Sequence, residues 1–200
     1  VRRIEHTSAY LLHQQPWGES GRIYELIARD HGRMSVFAQG VRGAKARLAG
    51  VLQPFVPLLV SWAGRGEAPR LTGAERDAVG RPPCALPKER LLSAYYMSEL
   101  LLTLTVRHDP QPALFDCYAT ALSGLYTGPS QDRELRLFEK RFLDVIGYGL
   151  PGVDEQAFDD PEELQRLRPL LREAVNRCLE GRRLKTRVVA KSLMQLGKMQ

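Results

Sequence analysis

Over the first eighty residues apolar positions alternate with polar ones, and β-branched and aromatic residues are frequent, which is the period of strands buried on one face. This predicts strands over 8–12, 23–29, 34–38, 55–62 and 69–72. Between the second and third, Asp30-His31-Gly32 makes a tight turn, so the two pair as a hairpin with Met34, Val36 and Ala38 on one face. Gly64 and Gly66 supply the turn ahead of the fifth strand. Five short strands suit a small barrel that closes its own edges, and the commonest such barrel with an open nucleic-acid-binding face is the OB-fold. The run Gly80 to Pro87, with Pro82, Pro83 and Pro87, stops any strand and marks a linker.

Beyond the linker the period lengthens to about 3.6 residues. Helices are predicted over 88–106, where Leu91, Leu92, Tyr95, Leu101 and Leu102 leave little polar face, and over 113–126 and 133–146. In the third, Leu135, Phe138, Phe142 and Ile146 recur at spacings of three and four, and Gly147 ends it. Asp160 and Pro161 read as the cap and first residue of a helix running to Leu179 with Pro169 inside it, and a last helix covers 186–196. The acidic stretch 154–163 reads as a loop that is disordered or open to insertion. The predicted class is α+β: a five-stranded OB-fold β-barrel over 1–80, then an all-α domain over 81–200 with an acidic loop near 152–161.

Charge sharpens this picture. The 200 residues carry a net charge of +6, which favours acidic partners such as nucleic acid. Residues 1–80 hold eleven Lys/Arg against seven Asp/Glu, 81–181 hold twelve against sixteen, and 182–200 hold six against none. Cys84, Cys117 and Cys178 form no CxxC pair and are odd in number, which predicts free thiols and a reducing cytoplasm. No apolar run reaches the roughly 18 residues of a spanning helix, and no signal peptide is read, so no membrane partner is expected.

Catalytic patterns are missing. Gly40 to Ala46 lacks the spacing and hydroxyl of a phosphate loop, and His6, His13, His31 and His108 are scattered with no HExxH. Gly18-Glu19-Ser20-Gly21 has its serine in the wrong frame for a nucleophile elbow. The carboxylates Asp159, Asp160, Glu162 and Glu163 stand at a helix start, where negative charge complements the dipole. These readings predict a protein that is not an enzyme and carries no metal or cofactor.

The nucleic-acid candidates are Arg42, Lys45 and Arg47, in a Gly/Ala-rich loop able to track a phosphate backbone, joined by Arg22 and Arg33. The same charges also suit a solvated loop that keeps the barrel soluble. Among the aromatics Tyr24, Phe37, Phe55 and Trp62, strand parity gives only Phe37 a claim to the outer face, where bases could stack. Arg182, Arg183, Lys185 and Arg187, with Lys191 and Lys198, form the densest basic run. They ride on a helix whose Val188, Val189, Leu193 and Leu196 are expected to pack inward. A sequence-specific nucleic-acid regulator on the same barrel and a metal-dependent nuclease or phosphatase stay as competing classes.

Several segments carry a resemblance. Residues 50–60, Gly50-Val51-Leu52-Gln53-Pro54-Phe55-Val56-Pro57-Leu58-Leu59-Val60, followed by Gly64-Arg65-Gly66-Glu67, resemble a strand of proteobacterial RecO proteins. So do residues 94–101, Leu135 to Glu139 with Ile146-Gly147-Tyr148-Gly149, residues 184–187, and His13 to Glu19. The resemblance implies an OB-fold and a helical domain in a recombination mediator that binds single-stranded and duplex DNA and anneals complementary strands. It also implies that the protein docks on the acidic tail of single-stranded DNA-binding protein (SSB), works with RecR and loads RecA indirectly, in a cytoplasmic, nucleoid-associated setting. Many members carry a four-cysteine zinc module where this chain has only 152–161, so zinc is not expected here. Carried onto the third helix, the SSB-tail site implies Arg136, Lys140 or Arg141 as carboxylate clamps and Leu137 or Leu143 as pocket lining. Pairing of these cations with Glu139 or Asp144 along the helix is the alternative.

Overall fold

The computed structural model describes residues 3–19, 21–39, 50–80, 82 and 84–197. The chain divides into two compact units: Val1–Pro83 with Thr105–Asp116, and Cys84–Leu104 with Cys117–Gln200. The first unit is built on five strands, β1 (Arg3–Trp17), β2 (Gly21–Ala28), β3 (Gly32–Gln39), β4 (Leu58–Ala63) and β5 (Arg70–Arg76). They close into a barrel in the order β1-β2-β3-β5-β4, with β3 and β5 parallel, which is the OB-fold. Strand β1 outruns its predicted span because it serves two neighbours, pairing with β4 through Ala9 and with β2 from Ala9 onward. Register shifts between Ile4 and Thr7 and between Leu11 and His13 bend it around the barrel. The core takes the inward row of each strand: Tyr24, Leu26 and Ala28, then Met34, Val36 and Ala38, then Leu58, Val60 and Trp62. Phe55, predicted to start β4, instead sits ahead of it at φ 68° and is buried.

The outward row of β2 and β3 is not uniformly wet. Glu25 and Ser35 point away from the core yet are 7% and 4% exposed, because residues 105–116 lie over them. Arg107 donates to Glu25 at 2.6 Å and to the Ser35 hydroxyl, while Ser35 donates to Glu25 at 2.5 Å. The His108 amide donates to the Arg33 carbonyl at 2.8 Å. Phe115 packs at a tilt against Tyr10, with ring centres 5.3 Å apart, and Arg29 holds Asp116 through two bonds of 3.1 and 2.9 Å. A charge removed from water demands such partners, so the cover and the acid require each other.

The second unit is helical: α1 (Leu91–Leu104, preceded by a 3-10 turn at Lys88–Arg90), α2 (Pro112–Thr127, of which Cys117 onward belongs here), α3 (Gln131–Val145), α4 (Pro161–Leu179) and α5 (Lys185–Gly197). Helix α1 is central, with Met97, Leu100 and Leu101 fully buried, although Tyr95 of the predicted apolar face is exposed and Tyr96 is the buried ring. Asp160 caps α4 by accepting the Glu162 amide at 2.8 Å, and the helix runs through Pro169 to Leu179 as its pattern indicated. Two expectations are corrected. The acidic stretch is ordered, folding as a 3-10 turn at Glu155–Asp159 with Phe158 1% exposed as its apolar anchor. Helix α5 turns Val188, Val189, Leu193 and Met194 outward, because polar bonds rather than apolar packing seat it.

Candidate nucleic-acid interface

At one end of the barrel the β1–β2 turn, the end of β3 and the β4–β5 turn come together. The ladder sets Trp17 opposite Gly21, Gly21 opposite Gln39, Phe37 opposite Arg70, and Arg70 opposite Ala63. The Phe37 amide donates to the Pro69 carbonyl at 2.9 Å, tying β3 to the β4–β5 turn. Exposed side chains at this end include Trp17, Gln39, Arg65 and Arg70, with Glu19 and Glu67 as acids among them. Arg22 lies at the same rim and donates to Gln14 at 3.1 Å. In OB-folds the outer face of β2–β3 and these two turns are where nucleic-acid strands lie.

The predicted cations have diverse placements. Arg42, Lys45 and Arg47 lie outside the described residues. Arg33 is drawn inward: its side chain is 14% exposed, it donates to the Thr105 hydroxyl at 3.2 Å and carbonyl at 2.9 Å, and it sits 3.5 Å from Glu25. Burial and the neighbouring Arg107 lower its pKa. A guanidinium so engaged is a structural tie between β3 and the cover rather than a free phosphate contact.

In the helical unit Arg182 closes helix ends, donating to the carbonyls of Leu179, Cys178 and Thr103 at 3.0, 3.1 and 2.7 Å. Arg187 donates to the Tyr96 hydroxyl at 3.0 Å and to Asn176, with its guanidinium 5.4 Å from the Tyr96 ring centre. Arg183, Lys185 and Lys191 are exposed. The basic run therefore mixes two anchoring arginines with outward cations.

The five residues proposed for an acidic tail all lie on α3, and all are engaged within the helical unit. Leu137 and Leu143 are 5% and 0% exposed, part of the core rather than of an open pocket. Arg136 is 15% exposed and bonds Glu139 while sitting 3.5 Å from Asp132. Lys140 pairs with Asp144 at 2.6 Å. Arg141 holds both oxygens of Glu155, which lowers the Glu155 pKa. The pairing of Arg136 and Lys140 along the helix is thus realised, and Asp132 and Glu155 are the two acids that were not foreseen.

Three features had no sequence signal. Glu139, fully buried, accepts the Tyr96 hydroxyl at 2.6 Å and the Arg136 guanidinium, and burial raises its pKa. Glu99 accepts the backbone amides that open α5. Trp17 stands 59% exposed. All three cysteines are free, and burial pushes the Cys117 thiol up to about 12. Among the described residues no cluster of three His, Cys, Asp or Glu could hold a metal ion, and no helix is long and apolar enough to cross a membrane.

Residues 3–76 match the family described as recombination protein O N terminal, and residues 88–155 match recombination protein O C terminal. Among curated proteins the chain is similar to the DNA repair protein RecO of Methylococcus capsulatus, 44% identical over 148 residues, 74% of this chain and 60% of that protein. It is 35% identical over 239 residues to the DNA repair protein RecO of Aromatoleum aromaticum, covering 98% of each chain. A third relative, the DNA repair protein RecO of Coxiella burnetii, is 31% identical over 230 residues, 94% of this chain and 98% of its own. The match to the first of these spans under two thirds of that protein's length.

Proposed function

Because this chain belongs to the recombination protein O family, we propose that it is a non-enzymatic mediator of recombination in DNA repair. It binds single-stranded and duplex DNA and anneals complementary strands, and together with RecR it promotes the loading of RecA. Its place is the cytoplasm, in association with the nucleoid. The observation that carries the reading is the barrel end where exposed Arg65 and Arg70 stand at the β4–β5 turn, one of the two turns that hold strands in OB-folds, with Arg22 at the rim on the inward row of β2. The segment bearing Arg42, Lys45 and Arg47 follows Gln39 in the chain. Exposed Arg183, Lys185 and Lys191 give the helical unit its own phosphate contacts.

The helical unit docks the SSB tail on α3 by exchange. A tail carboxylate takes the place of Glu155 on Arg141 and of Asp144 on Lys140, while Arg136 stays with Glu139.

The test is a salt titration of strand binding. The triple variant Arg42→Ala, Lys45→Ala, Arg47→Ala should weaken binding of an unstructured oligonucleotide at every sequence and lower the slope of log affinity against log salt by about two, each phosphate contact contributing roughly 0.7 on a single strand. An unchanged slope removes the loop from the interface. Binding confined to one base sequence would favour a regulator instead.

A further inference from the structure

We propose that Trp17 and Phe37, both adjoining Gly21 on the outer face of the barrel, form a platform on which bases of a single strand stack. The proposal rests on the nucleic-acid reading above and gives it a location. Trp17 is 59% exposed, in contrast to Trp62, which is 5% exposed in the core. Its outward direction comes from the irregularity between Leu11 and His13: Leu11 faces the core opposite Leu26, while His13 stands opposite the outward Glu25, so the outward row continues through Gln15 to Trp17. Phe37 belongs to the outward row of β3, opposite Ile23. Gly21 lies between them, and a side chain there would come within 2.8 Å of the Phe37 ring and 2.7 Å of the Trp17 carbonyl. Gly21 is itself buried, and its missing side chain leaves the room that the half-buried Phe37 ring takes up beside the Trp17 backbone.

Every base has a π-face, so two aromatic platforms beside cations hold a strand without reading its sequence. Arg70 is exposed and is the register partner of Phe37, and exposed Arg65 stands in the adjoining turn, so this end of the barrel offers cations for phosphates. The other half of this outer face is closed to a strand. There Glu25 and Ser35 are covered by residues 105–116 and bonded to Arg107. The open strip crosses β1 to β3, two strand spacings or roughly 10 Å, which seats about one base on each ring.

The chain carries two tryptophans, so its own fluorescence reports the site. The full protein is titrated with an oligothymidylate and with an abasic strand of the same length. Oligothymidylate should quench emission in the wild type and leave Trp17→Phe, which retains only buried Trp62, unquenched. By a separately labelled strand, Trp17→Ala should bind oligothymidylate about five- to hundredfold more weakly while Trp17→Phe stays within about threefold. On the abasic strand all three should bind alike. Equal oligothymidylate affinity for Trp17→Ala and wild type overturns the platform, as does an equal loss on the abasic strand. A wild type that binds neither strand defeats the nucleic-acid reading itself, a result distinct from either of those.

Discussion

Glu99 on α1 caps Thr186 on α5. Its carboxylate accepts the Thr186 amide at 3.0 Å and hydroxyl at 2.6 Å, and also the Lys185 amide at 2.7 Å. An acid from a different helix thus does the work of an N-cap, satisfying donors that no earlier turn can reach and placing negative charge at the positive helix end. Since α5 turns four large apolar side chains outward, this cap and the Arg187 bonds to Tyr96 and Asn176 are central to its seating.

Glu99→Ala should therefore cost about 1–2 kcal/mol, the upper part of the range for a lost cap. Urea unfolding measures the total. Hydrogen exchange supplies the sharper check, because Thr186 and the following amides should lose protection while the β2–β3 hairpin keeps its own. Uniform protection across both would mean that α5 is held by something else.

Glu139 gives a pH signature. Its pKa is raised in the folded chain, chiefly by burial, with Arg136 and Tyr96 opposing. A carboxyl raised above its unfolded value of about 4.3 binds more protons when folded, so its contribution to stability grows as pH falls through the folded pKa and levels off below the unfolded one. Relative to Glu139→Gln, which does not titrate, the wild type should gain stability on acidification across that window. Parallel curves of unfolding free energy against pH for the two proteins would refute the shift.

Gly32 closes the β2–β3 turn at φ +69°, and a Cβ there would lie 2.2 Å from the Asp109 carbonyl. Gly32→Ala meets both left-handed backbone strain and the cover segment. A loss of about 2–4 kcal/mol is expected, more than strain alone would give. Thermal melting followed by circular dichroism should show it, and a change below about 1 kcal/mol would mean that residues 105–116 yield easily.

Exchange on α3 makes an unusual forecast: removing an acid improves binding. Glu155→Gln frees Arg141 from a partly exposed ion pair worth at most about 1 kcal/mol, so an acidic SSB-tail peptide should bind about two- to fivefold tighter. Adding Arg141→Ala should abolish the gain. Fluorescence anisotropy with a labelled peptide decides it, and indifference to both changes would move docking away from this helix.

What could be read from the sequence was whatever repeats locally. The hairpin of β2 and β3 follows from the turn at Asp30 and the alternation of Met34, Val36 and Ala38, and the start of α4 follows from Asp160 and Pro161. What escaped depends on partners far along the chain. Arg33 was read as a phosphate contact because an outward cation on a strand is ordinarily solvated, and nothing near it announces that Thr105 and Arg107 will cover it. Trp17 was hidden differently: simple alternation from Ala9 and Leu11 points it inward, and only the irregularity after Leu11 reverses the count. The acidic stretch looked featureless because its order hangs on one aromatic, Phe158, and two distant ion pairs, Glu155 with Arg141 and Asp159 with Arg133.

The cover over Glu25 and Ser35 bears on how the chain is made. Strands β1 to β5 leave the ribosome well before residues 105–116, with the whole of α1 synthesised in between. During that interval Glu25 remains hydrated and the turn at Gly32 has nothing to press against. The barrel is thus a late-maturing unit although it comes first in the chain, and a fragment ending at the proline linker would resemble that nascent form.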